Sequence, residues 1–350
     1  MNNLLFSLNA TLPVFLLMMI GWGFHRINVI SDRFASDMNT FVFRIALPVS
    51  LFTELYNVDF FRVWDTRFVL FCFLATLASA GIAGLAARFL RDRSQRGEFI
   101  QGAYRSSASL LGMAYIELLY GHVTFGSLMM VGCVPLYNVL AVIVLTMPEK
   151  DGKRLTDAGD AGTQAGQPAS AVRNLRNQGN AKNTEAPAAA VKPARVRKLL
   201  VGMITNPIIL GILIGFLWAL LRIPLPEFAV TTLTFLGRTA TPLGLLAMGA
   251  SLDFGKMFHD IRPALAASFL KLIGFGMLFL PMAAALGFRE EKLAAVLIML
   301  CSASTVAGYV MAKNMGHEGT LSASVVMITT FFSSFTLTLW ITILRGMGLL

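Results

Sequence analysis

The sequence predicts an all-α integral membrane protein of ten transmembrane helices, arranged as two five-helix repeats of opposite orientation. Three observations predict it. Of the 350 residues, 56% are hydrophobic and 14% charged, against the roughly 25% charged residues of a soluble domain. The apolar residues run in stretches of about 20, the length of helix that crosses a hydrocarbon core. Short motifs also recur in the same order about 194 residues apart, on either side of a polar segment in mid-chain.

Breaks at charged and Pro/Gly clusters place five spans near residues 4–25, 36–56, 68–90, 99–119 and 125–147. Five more fall near 199–221, 228–252, 263–287, 292–314 and 320–344. The chain opens on Met1, Asn2 and Asn3 with no basic n-region or small-residue cleavage site, so the first apolar stretch is expected to stay as a helix. Residues 148–198 are rich in Ala, Gly, Gln, Asn and charge, with no period of 2 or 3.6. They read as a disordered linker, because such a segment buries too little apolar surface to offset its ordering entropy. The predicted organisation is therefore a first repeat over 1–147, a linker over 148–198 and a second repeat over 199–350.

The repeat rests on three matches. Pro13-x-x-Leu16-x-x-x-Ile20-Gly21-Trp22 has the spacing of Pro207-x-x-Leu210-x-x-x-Ile214-Gly215-Phe216. Arg44-x-Ala46-x-Pro48 faces Arg238-x-Ala240-x-Pro242, and Ser107-Ala108-Ser109 faces Ser302-Ala303-Ser304. Three matches in one order and nearly one register point to duplication. Five helices cross a membrane an odd number of times, so the second copy enters from the opposite side. Inverted repeats of this kind recur in secondary transporters, with the site near the midplane on discontinuous helices.

Charge sets the orientation. In the ten-span arrangement 19 Lys and Arg fall on the linker's side, six on the other and four within spans: Arg44, Arg105, Arg238 and Lys271. The positive-inside rule then makes the linker cytoplasmic and turns both termini outward. The formal charge of +10 is spread over short loops rather than one amphipathic element, which fits lipid headgroups as its partner and not nucleic acid. Cys72, Cys133 and Cys301 all lie in apolar stretches without metal or redox spacing and read as core residues.

These motifs resemble the auxin efflux carrier family of membrane transporters. The resemblance covers nearly the whole chain. It is carried by the Pro13 to Gly23 helix, by Arg44-Ile-Ala-Leu-Pro48-x-x-Leu51-Phe52, and by Asn206-Pro207-Ile-Ile-Leu-Gly211. Thr241-Pro242-Leu-Gly-Leu-Leu-Ala-Met-Gly249-Ala-Ser-Leu252 and Tyr309-Val-Met-Ala312-Lys313 before Gly316 complete it. It implies a fold similar to sodium/proton antiporters and bile-acid symporters, with broken helices four and nine crossing beside the substrate. For bacterial members it implies malonate or malate as substrate and the inner membrane as location. A homodimer is compatible with such a fold. Ser107 and Ala114 stand where family members often carry Asn and Pro, and Ser302 stands in place of a helix-nine Pro. These departures bear on substrate more than on fold, since small residues still permit close helix crossing.

An arginine inside hydrocarbon costs roughly 2.5–3.5 kcal/mol on insertion scales, so each needs a partner or a wet cavity. Arg105 directly precedes Ser106 to Ser109 and reads either as a carboxylate ligand, for which guanidinium geometry is suited, or as an interfacial anchor that snorkels. Arg44 and Arg238 each lie one turn before a proline, Pro48 and Pro242, and read as scaffold residues of kinked helices in preference to substrate contacts. Ser107, Ser109, Ser302, Ser304 and Thr305 read as hydroxyls lining an unwound crossing, or as ordinary small-residue packing. Asn138 and Tyr309 extend the candidate substrate site, or read as an interhelical hydrogen-bonding residue and an interfacial tyrosine. Glu117, in the last turn of span four, is the nearest carboxylate to membrane depth and reads either as the coupling residue for a proton or sodium ion or as an interfacial, solvated carboxylate.

The function predicted is secondary transport of a small organic anion by alternating access. A mono- or dicarboxylate such as malonate or malate, or an auxin-like acid, is the expected class, with no soluble cofactor. An anion channel would need a charged ring or a carbonyl filter that the sequence lacks. A membrane receptor would need a docking module in the linker, whose composition offers none. An intramembrane enzyme would need a nucleophile with its base or metal ligands at depth, and neither HExxH nor GxSxG occurs.

Overall fold

The computed structural model describes residues 2–56, 64–108, 112–146, 206–259 and 261–350. Ser109 and the linker placed over 148–198 lie outside the described residues, as does the start of the sixth predicted span. Everything described is helical or in short connections. Among the described residues, five segments are long and apolar enough to cross a bilayer: Thr66–Ala87, Thr124–Thr146, Ile261–Ala285, Glu290–Asn314 and Thr320–Gly346.

In chain order, α1 is Asn2–Arg26, α2 Asp32–Phe41 and α3 Leu47–Tyr56, with a π-helical turn Val42–Ala46 between the last two. Helix α4 is Thr66–Ala87, α5 Arg96–Tyr104, α6 Met113–Tyr120 and α7 Thr124–Thr146. In the second half α8 is Pro207–Leu221, α9 Glu227–Arg238, α10 Ala240–Ala250 and α11 Phe254–His259. Helix α12 is Ile261–Phe269, followed by a π turn Leu270–Gly274, then α13 Phe275–Ala285, α14 Glu290–Cys301, α15 Val306–Asn314 and α16 Thr320–Gly346.

Side chains fix many of these ends by accepting the orphan N–H groups of a first turn. Ser31 caps α2 through Phe34 N–H, 3.2 Å away. Asp65 caps α4 through Phe68 N–H at 3.1 Å, and Asn206 caps α8 through Ile208 N–H at 3.0 Å, with Pro207 as its first residue. The second span therefore begins four residues earlier than hydropathy placed it, at Asp32 rather than 36, because the cap and not the first apolar residue sets the start.

Two irregularities follow from proline. Pro48 has no N–H for the Arg44 carbonyl four residues earlier, and there the chain widens, the Leu47 N–H reaching back five residues to the Val42 carbonyl. Pro242 likewise deprives the Arg238 carbonyl, and α9 ends there. The Thr239 hydroxyl donates to the Leu236 carbonyl at 2.7 Å, closing the turn before α10 starts.

Helices from the two halves pack by exchange: α1 lies on α10 and α3 on α8. Glycines let these backbones meet. A Cβ on Gly215 would lie 2.9 Å from the Cα of Phe52, and one on Gly211 would lie 2.5 Å from the Pro48 carbonyl oxygen. On the other pair, a Cβ on Gly21 would strike the Leu246 carbonyl and one on Gly249 the Met18 carbonyl. Gly21 against Leu246 and Gly215 against Phe52 are the same contact displaced by 194 residues. At the centre sits Glu290–Asn314, with 94% of its most apolar stretch buried, against 39–67% for the other long spans.

Two buried carboxylates tie helix ends across the halves in the same exchanged manner. Glu98, near the start of α5, accepts the N–H groups of Gly319 and Ser322 at the start of α16, at 3.0 and 2.8 Å. Glu291, at the start of α14, accepts the N–H of Phe125 at the start of α7 at 2.7 Å, with His122 Nδ1 3.3 Å away. The two lie at opposite ends of α7, which at 1.5 Å per residue is about 35 Å long. A helix N-terminus favours a negative charge, and hydrogen bonds to charged groups contribute about 1.5–3 kcal/mol each. Glu98→Gln keeps one acceptor but turns an NH₂ toward a backbone N–H. It is expected to destabilise the fold by about 2–3 kcal/mol, read as a lowered thermal midpoint in detergent.

At the edge of the same layer as Glu291, Lys292 donates to Asp65 Oδ2 at 2.7 Å. This hydrogen bond, helped by the Phe68 N–H and opposed by partial burial, holds the Asp65 carboxyl below the ordinary range. A carboxyl depressed in the folded state contributes stability above its unfolded pKa of about 3.9, and that contribution is lost as pH falls through the folded value. Asp65→Asn should therefore be less stable than the parent at pH 7, with the gap in thermal midpoint closing as pH falls below about 4.

Candidate functional site

Both helices at the centre of the fold are interrupted. Helix α5 stops at Tyr104, with Arg105 in extended conformation as its C-cap, and α6 resumes at Met113. Helix α14 stops at Cys301, with Ser302 extended as its C-cap, and α15 resumes at Val306 after the Thr305 N-cap. These breaks fall within the spans placed at 99–119 and 292–314. The two touch through their backbones: the Ser107 N–H donates to the Ala303 carbonyl at 2.9 Å. A break in a helix frees carbonyls at one end and N–H groups at the next, and at membrane depth such groups persist only where protein or a wet cavity satisfies them.

Arg105 sits on this crossing and is 4% exposed, which places it in the interior rather than at an interface. Its Nη2 donates to Asn138 Oδ1 at 2.8 Å, and its Nη1 approaches Met311 Sδ at 2.9 Å. Asn138, on α7, is oriented by its own Nδ2 donating to the Val134 carbonyl at 2.9 Å. None of the ion pairs among the described residues involves Arg105. Glu54 is the carboxylate within its longer electrostatic reach.

The structure brings several predicted residues together here. Ser302 is fully buried, and its hydroxyl has no protein partner among the described residues. Ser304 is buried, its N–H donating to the Thr329 hydroxyl at 3.0 Å. Thr305 caps α15 through the Ala307 N–H at 3.3 Å. Ser107 is half-buried, and its carbonyl accepts the Gly112 N–H at 3.2 Å.

Other predicted residues stand apart. Tyr309 is buried one turn along α15, beside a small cleft lined by Ser251, Asp253, Glu318 and Gly319, not in the crossing itself. Glu117 is exposed in the last turn of α6 and is not among the hydrogen-bond partners of Arg105. Arg44 and Arg238 are exposed and make no hydrogen bond or ion pair to the described residues. The helix irregularities at those positions arise from Pro48 and Pro242 acting on the backbone, without the arginines tying them.

Sequence reasoning passed over four polar residues that the crossing uses. Gln101 donates from Nε2 to the Gly308 carbonyl at 2.9 Å, joining α5 to α15. The Tyr137 hydroxyl donates to the Met299 carbonyl at 3.1 Å. The Ser106 hydroxyl donates to the same carbonyl and accepts from the Lys271 ammonium. Lys271 was visible as one of four cations within spans, yet no motif surrounds it.

A membrane transport protein family model matches residues 6–341 of this chain. An uncharacterized transporter of Methanothermobacter thermautotrophicus is 22% identical over 342 residues, which cover 97% of this chain and 98% of that protein. The match runs through both halves and takes in both interrupted helices. The chain belongs to the membrane transport protein family, the family of the auxin efflux carriers.

Proposed function

We propose that this protein is a secondary carrier of a small organic anion, a mono- or dicarboxylate, and that it works by alternating access around the crossing of α5–α6 with α14–α15. One observation carries the reading. Arg105 is a buried cation whose hydrogen bonds go to neutral groups, with no carboxylate in contact among the described residues. A charge taken from water into a protein interior costs several kcal/mol unless paired, and a counter-charge in direct contact is what a carboxylate supplies, with guanidinium geometry suited to binding it through two bonds. The Ser302 hydroxyl, lacking a protein acceptor, and the backbone N–H groups at the start of α15 are the further donors that an anion meets there.

The scaffold in this reading has ten spans in two inverted five-helix repeats. Its support is the exchange of equivalent contacts: Gly21 with Leu246 against Gly215 with Phe52, and Glu98 on α16 against Glu291 on α7. Two copies related by a pseudo-two-fold axis make each cross-repeat contact twice. The excess of Lys and Arg beside the central segment favours a cytoplasmic linker, outward termini and, in a bacterium, the inner membrane.

The test is uptake by liposomes containing the purified protein, with labelled malonate, malate and indole-3-acetate, under imposed proton and sodium gradients in turn. Saturable uptake of one acid is the expected result, and the gradient that drives it names the coupling ion. Flux absent for all three acids under every gradient would remove the carboxylate assignment.

A further inference from the structure

Lys271 is a buried cation that the anion reading does not use. It lies in the middle of the long Ile261–Ala285 span, inside the π turn Leu270–Gly274, and is 0% exposed. A π turn inserts an extra residue into a helix and is frequent at functional positions. None of the ion pairs among the described residues includes Lys271, and the thiols of Cys133 on α7 and Cys301 on α14 lie within its electrostatic reach.

Its hydrogen bonds reach both interrupted helices. The ammonium donates to the Tyr104 carbonyl at 3.2 Å, and Tyr104 is the last residue of α5. It also donates to the Ser106 hydroxyl, which passes a hydrogen bond to the Met299 carbonyl in the last turn of α14. Each helix C-terminus carries roughly half a negative charge on its unsatisfied carbonyls. Two such ends converge here, and one ammonium matches their sum. Tyr104 and Ser106 are moreover the immediate neighbours of Arg105, so the lysine grips the chain on both sides of the arginine.

We propose that Lys271 is the positioning cation of the crossing: it clamps the C-terminal ends of α5 and α14 together and thereby fixes the backbone from which Arg105 projects. Lys271 does not touch the transported anion. What Arg105 binds rests on the carrier reading above, whereas the clamp itself stands on the geometry of the crossing.

The test compares the parent with Lys271→Met, Lys271→Arg and Ser106→Ala, by amide hydrogen exchange in detergent and by malonate uptake in liposomes. The expected result is faster exchange, by about tenfold or more, confined to residues 105–108 and 302–305 in Lys271→Met, with parent-like exchange in Lys271→Arg. Ser106→Ala keeps the charge and cuts the link to α14, so its increase should centre on 302–305. That arm carries the test should the lysine variants not fold. In the same Lys271→Met protein KM for malonate should rise by roughly tenfold and return toward the parent value in Lys271→Arg.

Unchanged exchange at both breaks would overturn the proposal whatever the flux. Exchange raised evenly over all helices would also overturn it, by making Lys271 an ordinary core residue. Confined exchange with an unaltered KM would overturn the link to Arg105. If the parent carries no carboxylate while the confined exchange appears, the carrier reading fails and the clamp stands.

Discussion

Arg105→Ala is expected to lower anion uptake at limiting concentration by on the order of 100-fold, the fall lying mainly in KM. Truncating one member of a buried, hydrogen-bonded charge pair costs about 2–5 kcal/mol, and each 1.36 kcal/mol is a factor of ten. Part of the loss has a structural origin that must be measured separately. Without the guanidinium, Asn138 Oδ1 has no donor, which costs roughly 1–3 kcal/mol of stability. Arg105→Lys separates the two contributions. It keeps the charge but presents an ammonium in place of the planar fork, and should retain the fold and lose about tenfold in uptake. A thermal midpoint near the parent's, together with parent flux in Arg105→Ala, would show that the arginine binds no substrate.

The second large effect is expected in the lipid-embedded packing, not at the site. Gly249→Ala places a methyl group against the Met18 carbonyl, where backbone meets backbone and no side chain can swing aside. Helices α1 and α10 must then separate. Overpacking of this kind costs typically 1–3 kcal/mol and sometimes more, and in lipid no hydrophobic drive returns the helices to contact. A loss of about 3 kcal/mol is expected, with Gly21→Ala on the facing helix nearly as severe. Gly81→Ala and Gly84→Ala in α4 serve as controls, since nothing lies within 4 Å of their added Cβ. Alanine's better helix propensity should leave these two neutral or up to about 1 kcal/mol more stable. Equal effects in all four variants would mean that the close approach of α1 and α10 contributes nothing.

Much of the helical scaffold was legible because hydrophobic length is a long-range signal that survives errors of a few residues. Helices α4, α7 and α16 fall within a few residues of their hydropathy placement, and α4 and α16 start at residues that composition marks, the Asp65 cap and Gly319. What hydropathy does not register is a change of hydrogen-bond register inside an apolar run. The π turn at Val42–Ala46 is traceable to Pro48, but the one at Leu270–Gly274 has no proline within reach and is marked in the sequence only by Lys271. Candidate residues separate in the same way. Arg105, Ser302 and Asn138 stand out as polar residues in apolar surroundings, and the fold gathers them. Arg44 and Arg238 look equivalent by that criterion, yet they face outward, because which side of a helix a residue occupies depends on the partner helix and not on the residue. Glu98 and Glu291 were invisible for the opposite reason: a carboxylate at a span's edge looks solvated until a second helix brings its N-terminus to it.

The exchanged packing of α1 on α10 and α3 on α8 bears on how the chain is assembled during synthesis. When the ribosome has completed α7, the carbonyls of Met18 and Pro48 and the backbone at Phe52 still lack the helices that close on them, and α5 has Glu98 in place with no α16 to receive it. The first half thus presents surfaces that stay uncovered until the second half is made. Each half supplies surfaces that only the other can cover, so a nick between residues 147 and 206 would divide one folding unit into two complementary fragments and not into two domains.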